Sequence, residues 1–143
     1  MLGKTMLAAL AAALAIAAPA GGSAGTATLT VRATDYGSIL FDGRGHALYA
    51  FTRDRRGGPS TCYGACAKAW PVYFARGSLR AGRGVKRSLI ATTRRRDGRR
   101  QVTYAGRPLY YYVDDGVGQV KCQAVDEFGG TWLVVRPSGR LVR

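Results

Sequence analysis

Seven residues of this chain come twice. Leu48-Tyr49-Ala50-Phe51-Thr52-Arg53-Asp54 returns 61 positions on as Leu109-Tyr110-Tyr111-Tyr112-Val113-Asp114-Asp115, and Gly45 and Gly106 precede the two copies at the same offset. Each copy reads Gly-x-x-Leu-Tyr-x-aromatic-x-x-Asp and follows its own apolar run, Ile39-Leu40-Phe41 or Gln101-Val102-Thr103-Tyr104. Self-similarity at a fixed period identifies the building unit before any motif is interpreted. The chain is expected to fold as two related halves.

The unit is β. Thr28 to Arg32 alternates and is β-branched, and Tyr36-Gly37 turns it into Ser38 to Phe41. Asp42-Gly43-Arg44-Gly45 is a hairpin turn, since Asp-Gly tolerates positive φ between two apolar runs, and it predicts a return strand over His46 to Thr52. The second half follows the same plan: Asp97-Gly98 turns Leu89 to Thr93 into Gln101 to Tyr104, and Ala105-Gly106-Arg107 turns that strand into Pro108 to Val113. Gly116 to Gly130 is expected to be loop, Thr131 to Val135 a strand, and Pro137-Ser138-Gly139 the turn into Leu141-Val142. Only Ser60 to Pro71 departs from this pattern. Its N-cap hydroxyl, small residues and closing Pro predict one or two helical turns around Ala65 to Trp70, which Gly64 keeps short. The fold class is therefore mainly β, a compact two-repeat domain of antiparallel hairpins, sandwich or barrel-like, with one short helix after the first repeat. Repeat 1 spans about 37–75 and repeat 2 about 98–139. Because alternate strand residues share a face, Tyr49, Phe51, Tyr110 and Tyr112 form matched aromatic rows, assigned to core packing rather than a ligand platform. Asp54 and Asp115 close the two copies.

Residues 1–20 have the form of a secretory signal peptide: Lys4, an Ala-rich apolar run from Leu7 to Ala18, and Ala18-Pro19-Ala20 as a cleavage site. That run is shorter than the roughly 20 apolar residues of a spanning helix. A flexible leader at 21–27 and a single domain at 28–143 follow. The formal net charge is +14, of which Lys4 supplies one, so polyanions are the natural partners.

Three ordered motifs resemble a known family. Tyr49-Ala50-Phe51-Thr52-Arg53-Asp54 fits Y-x-[FWY]-x-x-D, Cys62-Tyr63-Gly64-Ala65-Cys66-Ala67-Lys68-Ala69-Trp70-Pro71 is similar to C-x-G-x-C-A-x-x-W-P, and Gln101 to Tyr111 resembles Q-V-T-Y-x-G-x-P-L-Y-Y. These segments mark the bacterial "secreted repeat of unknown function" family, predicted lipoproteins among them. The resemblance runs from about Gly37 to Gly139 and implies an envelope location and a two-repeat domain, with no established activity. The sequence departs from the lipoprotein members in having no lipid-bearing Cys at the cleavage site, and Cys122 is additional to the family pattern. A periplasmic or secreted product is expected.

Three cysteines in an exported chain suggest one disulfide and one remaining thiol. Cys62 and Cys66 are the first choice, Gly64 giving the small loop its freedom. Cys122 lies 7 residues after Asp115, much as Cys62 lies 8 after Asp54, so a bridge from Cys62 or Cys66 to Cys122 stays open. It would close a loop worth about 4 kcal/mol on chain-entropy grounds. A redox pair lacks Cys-x-x-Cys spacing. A metal set of His46, Cys62, Cys66 and Cys122 is chemically complete, but exported thiols oxidise. The expectation is no metal and no cofactor. His46 is the single His and gives a triad no support, and Asp54 and Asp115 better suit turn-capping than acid–base work.

Basic residues concentrate between Arg76 and Arg107, eleven of them against one acid, Asp97. Arg94, Arg95, Arg96, Arg99 and Arg100 are the candidate polyanion contacts, with anionic lipid, lipopolysaccharide or extracellular DNA as candidate partners. The functional expectation is a non-catalytic envelope binding module of unknown ligand. The alternative is a thiol- or metal-dependent envelope redox protein using Cys62, Cys66 and Cys122.

Overall fold

The computed structural model describes residues 26–143, so the leader expected at 1–20 and most of 21–27 lie outside the described residues. Each repeat opens with a hairpin whose first strand precedes the bounds expected at about 37 and 98. In the first, β1 (Leu29–Thr34) pairs antiparallel with β2 (Gly37–Asp42). After β3 (Tyr49–Phe51) and the helix α1 (Ala65–Ala69), the second repeat supplies β4 (Ile90–Arg94) and β5 (Arg100–Tyr104), turned by Asp97-Gly98. The short β6 (Arg107–Pro108), then β7 (Val125–Glu127) and β8 (Gly130–Val134), complete it. Among the described residues the strands form three antiparallel sheets, β1-β2, β3-β8-β7 and β4-β5-β6, and none closes into a barrel. The fold is mainly β in two repeats, as expected.

Four local expectations change. The return strand over His46 to Thr52 splits: Ala47 bridges Phe41 and the Leu48 N–H reaches the Leu40 carbonyl, whereas Tyr49 to Phe51 leave to pair with β8. The strand expected over Pro108 to Val113 shrinks to β6 and a bridge at Tyr110. Beyond it the N–H groups of Tyr111 and Val113 bond the carbonyls of Pro71 and Ala69 instead. Pro71 has no N–H to return, so no regular ladder can form there. Within the expected loop 116–130, Val125 to Glu127 are a strand, recruited by pairing with β8. The helix has Gly64, not a hydroxyl, at its N-cap, because Ser60 and Thr61 are used elsewhere.

Ile39 to Asp42 of β2 and the run from Ala47 to Phe51 are buried on both faces. Ile39, Phe41, Ala47, Tyr49 and Phe51 join one apolar cluster, while Leu40, Leu48 and Ala50 join a second with Leu29, Val102, Tyr104 and Leu109. Continuous apolar runs such as Ile39-Leu40-Phe41 are what such a two-sided layer needs.

The repeated phrase locks the halves together by exchange. The Tyr49 hydroxyl donates to Asp115 Oδ2 at 2.6 Å, and the Tyr110 hydroxyl donates to Asp54 Oδ2 at 2.6 Å. Their backbones exchange bonds as well, Tyr49 N–H to Tyr110 O at 2.8 Å and Tyr110 N–H to Tyr49 O at 2.9 Å. Indole rings follow the same symmetry. Trp70 and Trp132 stack at 4.0 Å, Tyr49 meets Trp70 edge-on and Tyr110 meets Trp132 edge-on. Phe51 then stacks on Trp132 of the other half, and Tyr112 tilts onto Trp70. Even the turns reciprocate, for Gly57 N–H reaches the Gly106 carbonyl and Gly118 N–H reaches the Gly45 carbonyl. Gly45 and Gly106 both sit at positive φ, 94° and 75°, which explains why both copies keep a glycine there.

Each carboxylate also accepts from its own following loop: Asp54 from the Thr61 N–H and hydroxyl, Asp115 from the Lys121 N–H. Burial raises both acids above the usual 3.8, with these donors opposing it, and burial raises the Tyr49 and Tyr110 phenols. Tyr49→Phe should therefore cost about 1.5–3 kcal/mol, the range for a hydrogen bond to a charged group. In a denaturation double-mutant cycle with Asp115→Asn, the two changes should couple by about 0.5–3 kcal/mol; strict additivity would contradict the exchange.

Candidate functional site

The two halves diverge after the repeated Asp. In the first, Cys62 and Cys66 form the disulfide, closing a loop that contains Tyr63, while Cys122 is a free, half-buried thiol that packs against the aromatic cluster. The four-residue metal set is thus not assembled, and among the described residues no group of three His, Cys, Asp or Glu side chains is placed to hold a metal ion.

The disulfide loop presents Tyr63 to the arginine run. Arg95 lies over the Tyr63 ring at 4.1 Å and Arg96 at 4.3 Å, and the Arg96 N–H donates to the Tyr63 hydroxyl. The two arginines then part. Arg95 is only 6% exposed. Its Nη1 donates to Ser60 Oγ at 2.5 Å and Gln101 Oε1 at 3.0 Å, and its Nη2 donates to the Cys62 carbonyl at 2.6 Å. Ser60 donates onward to Tyr110, whose own proton goes to Asp54, so a guanidinium closes the chain that begins at a repeat carboxylate. Arg95, expected at the anion surface, belongs to the interior instead. Position decides this, because it sits at the hairpin end of β4, where alternate side chains point to opposite faces.

Arg96 stays exposed and opens on a cleft of about 420 Å³ lined by Tyr63, Ala67, Pro71, Val72, Phe74 and Arg99, with Arg95 and Asp97 also in its wall. The Arg99 guanidinium carbon lies 3.9 Å from the Phe74 ring centre while its Nε donates to Asp97 at 2.8 Å. Each guanidinium therefore rests against an aromatic ring, a contact that holds a long side chain in place. In Arg99, Asp97 takes the Nε while the two Nη groups have no partner among the described residues. Among the described residues Arg96 has no acidic partner within salt-bridge distance. Arg94 and Arg100 face each other across the β4–β5 register outside the cleft, Arg100 donating to Thr92. The run of basic residues is accordingly not a single stripe. The usable part is Arg96 and Arg99 on their rings.

A second cleft, about 380 Å³, is lined by Arg44, Arg76, Ser78, Tyr73 and Tyr111. Asp42 anchors it. The Tyr111 hydroxyl and the N–H groups of Arg44 and His46 all donate to this carboxylate, and Arg44 Nε lies 3.5 Å away. Burial would raise Asp42, but those donors together hold it below the ordinary 3.8. His46 is placed by this turn, with Nδ1 3.7 Å from Asp42. Sequence reasoning passed over Asp42 as a turn residue and assigned no role to Tyr111. No local signal joined the two, since Tyr111 lies 69 positions from Asp42.

These features define a two-repeat, disulfide-bearing β domain. The chain belongs to the family of secreted repeats of unknown function, whose model matches residues 30–73 and 91–136. The two matched stretches take in the opening hairpin of each repeat. No curated protein and no solved structure matches the chain. Among the described residues no helix is long and apolar enough to cross a membrane.

Neighbouring arginines should behave oppositely. Arg95→Ala should destabilise by about 1–3 kcal/mol or more, since it strands buried acceptors, whereas Arg96→Ala should change stability by no more than about 0.5 kcal/mol in urea titrations. Asp42→Asn should lower stability at neutral pH. Because the folded-state value of Asp42 is depressed, its contribution is present above the unfolded value and lost as pH falls through the folded one. The gap in denaturation midpoint between wild type and Asp42→Asn should therefore narrow below pH 3.8, and a gap that widens there would refute the assignment.

Proposed function

We propose that this protein is a non-catalytic, exported envelope module, periplasmic or secreted, that binds anionic ligands through the Arg96–Arg99 cleft. The observation that carries the reading is the pair of arginines held against Tyr63 and Phe74 beside one cleft. Guanidinium edges fixed in this way match the planar or tetrahedral oxygens of carboxylate, sulfate and phosphate, at a lower ordering cost than free surface side chains. The leader pattern of residues 1–20 supports export. Support for a binding rather than a catalytic role comes from the repeated acids: Asp54 and Asp115 each take a phenol and a loop N–H, so their oxygens are committed to holding the halves together. The disulfide acts as a staple for the Tyr63 loop.

Heparin affinity tests this with a charge-matched control. Arg96→Glu/Arg99→Glu should elute at clearly lower salt than Arg55→Glu/Arg140→Glu, which makes the same change in net charge on exposed residues away from the cleft. Loss of two contacts should also flatten the salt dependence by about two units of slope. Coelution of the two variants would show that bulk charge alone drives retention and would defeat the proposal.

A further inference from the structure

The two arginine clefts share a wall. Val72 and Phe74 line both, and they belong to an extended run, from Pro71 to Arg76, that lies between the two openings. This run is held rigidly. Tyr73 N–H bonds the Leu109 carbonyl, Val102 N–H bonds the Tyr73 carbonyl, Ala75 N–H bonds the Arg100 carbonyl, and bridges tie Val72 to Tyr110 and Phe74 to Gln101. Tyr73 and Ala75 pack into the second apolar cluster, as alternation in an extended chain requires, while Val72, which also packs against the first cluster, and Phe74 form the ridge. Arg96 and Arg99 flank the ridge in one cleft, Arg44 and Arg76 in the other. The acids nearby are already engaged, Asp97 by Arg99 and Asp42 by Tyr111 and backbone N–H groups.

We infer that the two clefts form one binding track across the Val72–Phe74 ridge, and that its ligand is a flexible linear chain carrying successive phosphate groups. This deepens the anion-binding reading above and rests on it. A compact anion can occupy one cleft only, whereas a chain seated in the first reaches the second at high effective concentration, so affinity should rise with chain length faster than the number of charges. An anionic membrane surface fits less well. Among the described residues the exposed large apolar side chains are Tyr36, Val113, Val117 and Phe128, and none lines either of these clefts. The ridge residues Val72 and Phe74 are half-buried and Arg99 rests on Phe74, which leaves them poorly placed to insert among lipid tails.

The test is fluorescence anisotropy on the purified full-length secreted protein with labelled long-chain inorganic polyphosphate, competed by tripolyphosphate. Variants are Arg44→Glu/Arg76→Glu, Arg96→Glu/Arg99→Glu and the control Arg55→Glu/Arg140→Glu, each checked for folding by circular dichroism. The expected result is that Arg44→Glu/Arg76→Glu weakens long-chain binding about tenfold beyond the control and lowers the salt slope by about two, while tripolyphosphate competition at the first cleft is unchanged. If it binds the long chain as the control does while Arg96→Glu/Arg99→Glu fails, the track is overturned and the single cleft stands. Should neither pair fall below the control, both readings are lost. Tight binding to phosphatidylglycerol/phosphatidylcholine vesicles, with no binding to polyphosphate, would also overturn the track. If reversing Arg44 beside Asp42 unfolds the protein, Arg44→Gln/Arg76→Gln should give the same ordering with a smaller effect. Oligodeoxythymidylate of equal charge separates two sources of the same chemistry: stronger binding than polyphosphate assigns the chain to nucleic acid, weaker binding to condensed phosphate, and either agrees with the track.

Discussion

Everything in this molecule depends on a hydrogen bond that neither repeat can make alone. Each copy carries a tyrosine and an aspartate, yet the tyrosine of one copy satisfies the aspartate of the other. Each carboxylate keeps donors from its own following loop, but in a single repeat its second oxygen and the repeat's own tyrosine hydroxyl would both lose their partner. Exchange removes that loss for two sites at once. It also explains why the β3 partner is β8 from the second repeat, while Tyr110 bridges Val72 from the first. The geometry is that of an isologous two-fold interface drawn into a single chain, where residue i meets j and j meets i.

The aromatic stack is the apolar side of the same arrangement. Phe51, Trp132 and Trp70 lie nearly parallel, with ring spacings of 4.1 and 4.0 Å, and the two tyrosines close the stack edge-on. Both indole N–H groups then find acceptors on Glu127, one at its carboxylate and one at its carbonyl. That residue breaks the symmetry, as does the offset of the tryptophans: Trp132 follows Trp70 by 62 positions, not 61. Symmetry governs the core with these two departures, whereas among the described residues the Cys62–Cys66 loop and the arginine clefts have no counterpart in the other half. This is the division expected of a scaffold that positions a site on its loops.

Legibility in the sequence followed the same division. The hairpins at Asp42-Gly43 and Asp97-Gly98, the short helix and the Cys62–Cys66 bridge were readable because each is encoded within a few neighbouring residues. The periodic phrase identified the repeat, and one more period was there to find: Gly57 and Gly118 lie the same 61 positions apart and reach across to the opposite turn. What local pattern could not show was the pairing partner. Tyr49 lies on a strand and Tyr110 only at an isolated bridge, and nothing near either residue says that its hydroxyl ends on the carboxylate of the other half. The strand at Val125 to Glu127 was hidden for a related reason, since its sequence is polar and only the neighbouring β8 makes it a strand.

Arg95 shows why a run of charge is a poor unit of inference. Three consecutive arginines suggest one surface, but a hairpin end sends neighbours to opposite faces, and the middle one enters the core. Burial of a cation is tolerable here because the guanidinium is planar and its forked N–H groups meet Ser60, Gln101 and the Cys62 carbonyl together. A lysine could not reach that spread of acceptors from one nitrogen. Arg95 thereby joins the disulfide loop to the Tyr110–Asp54 clasp and steadies Tyr63, on whose ring Arg96 lies. The buried arginine and the exposed one are then parts of one construction, the first fixing the aromatic surface that orients the second.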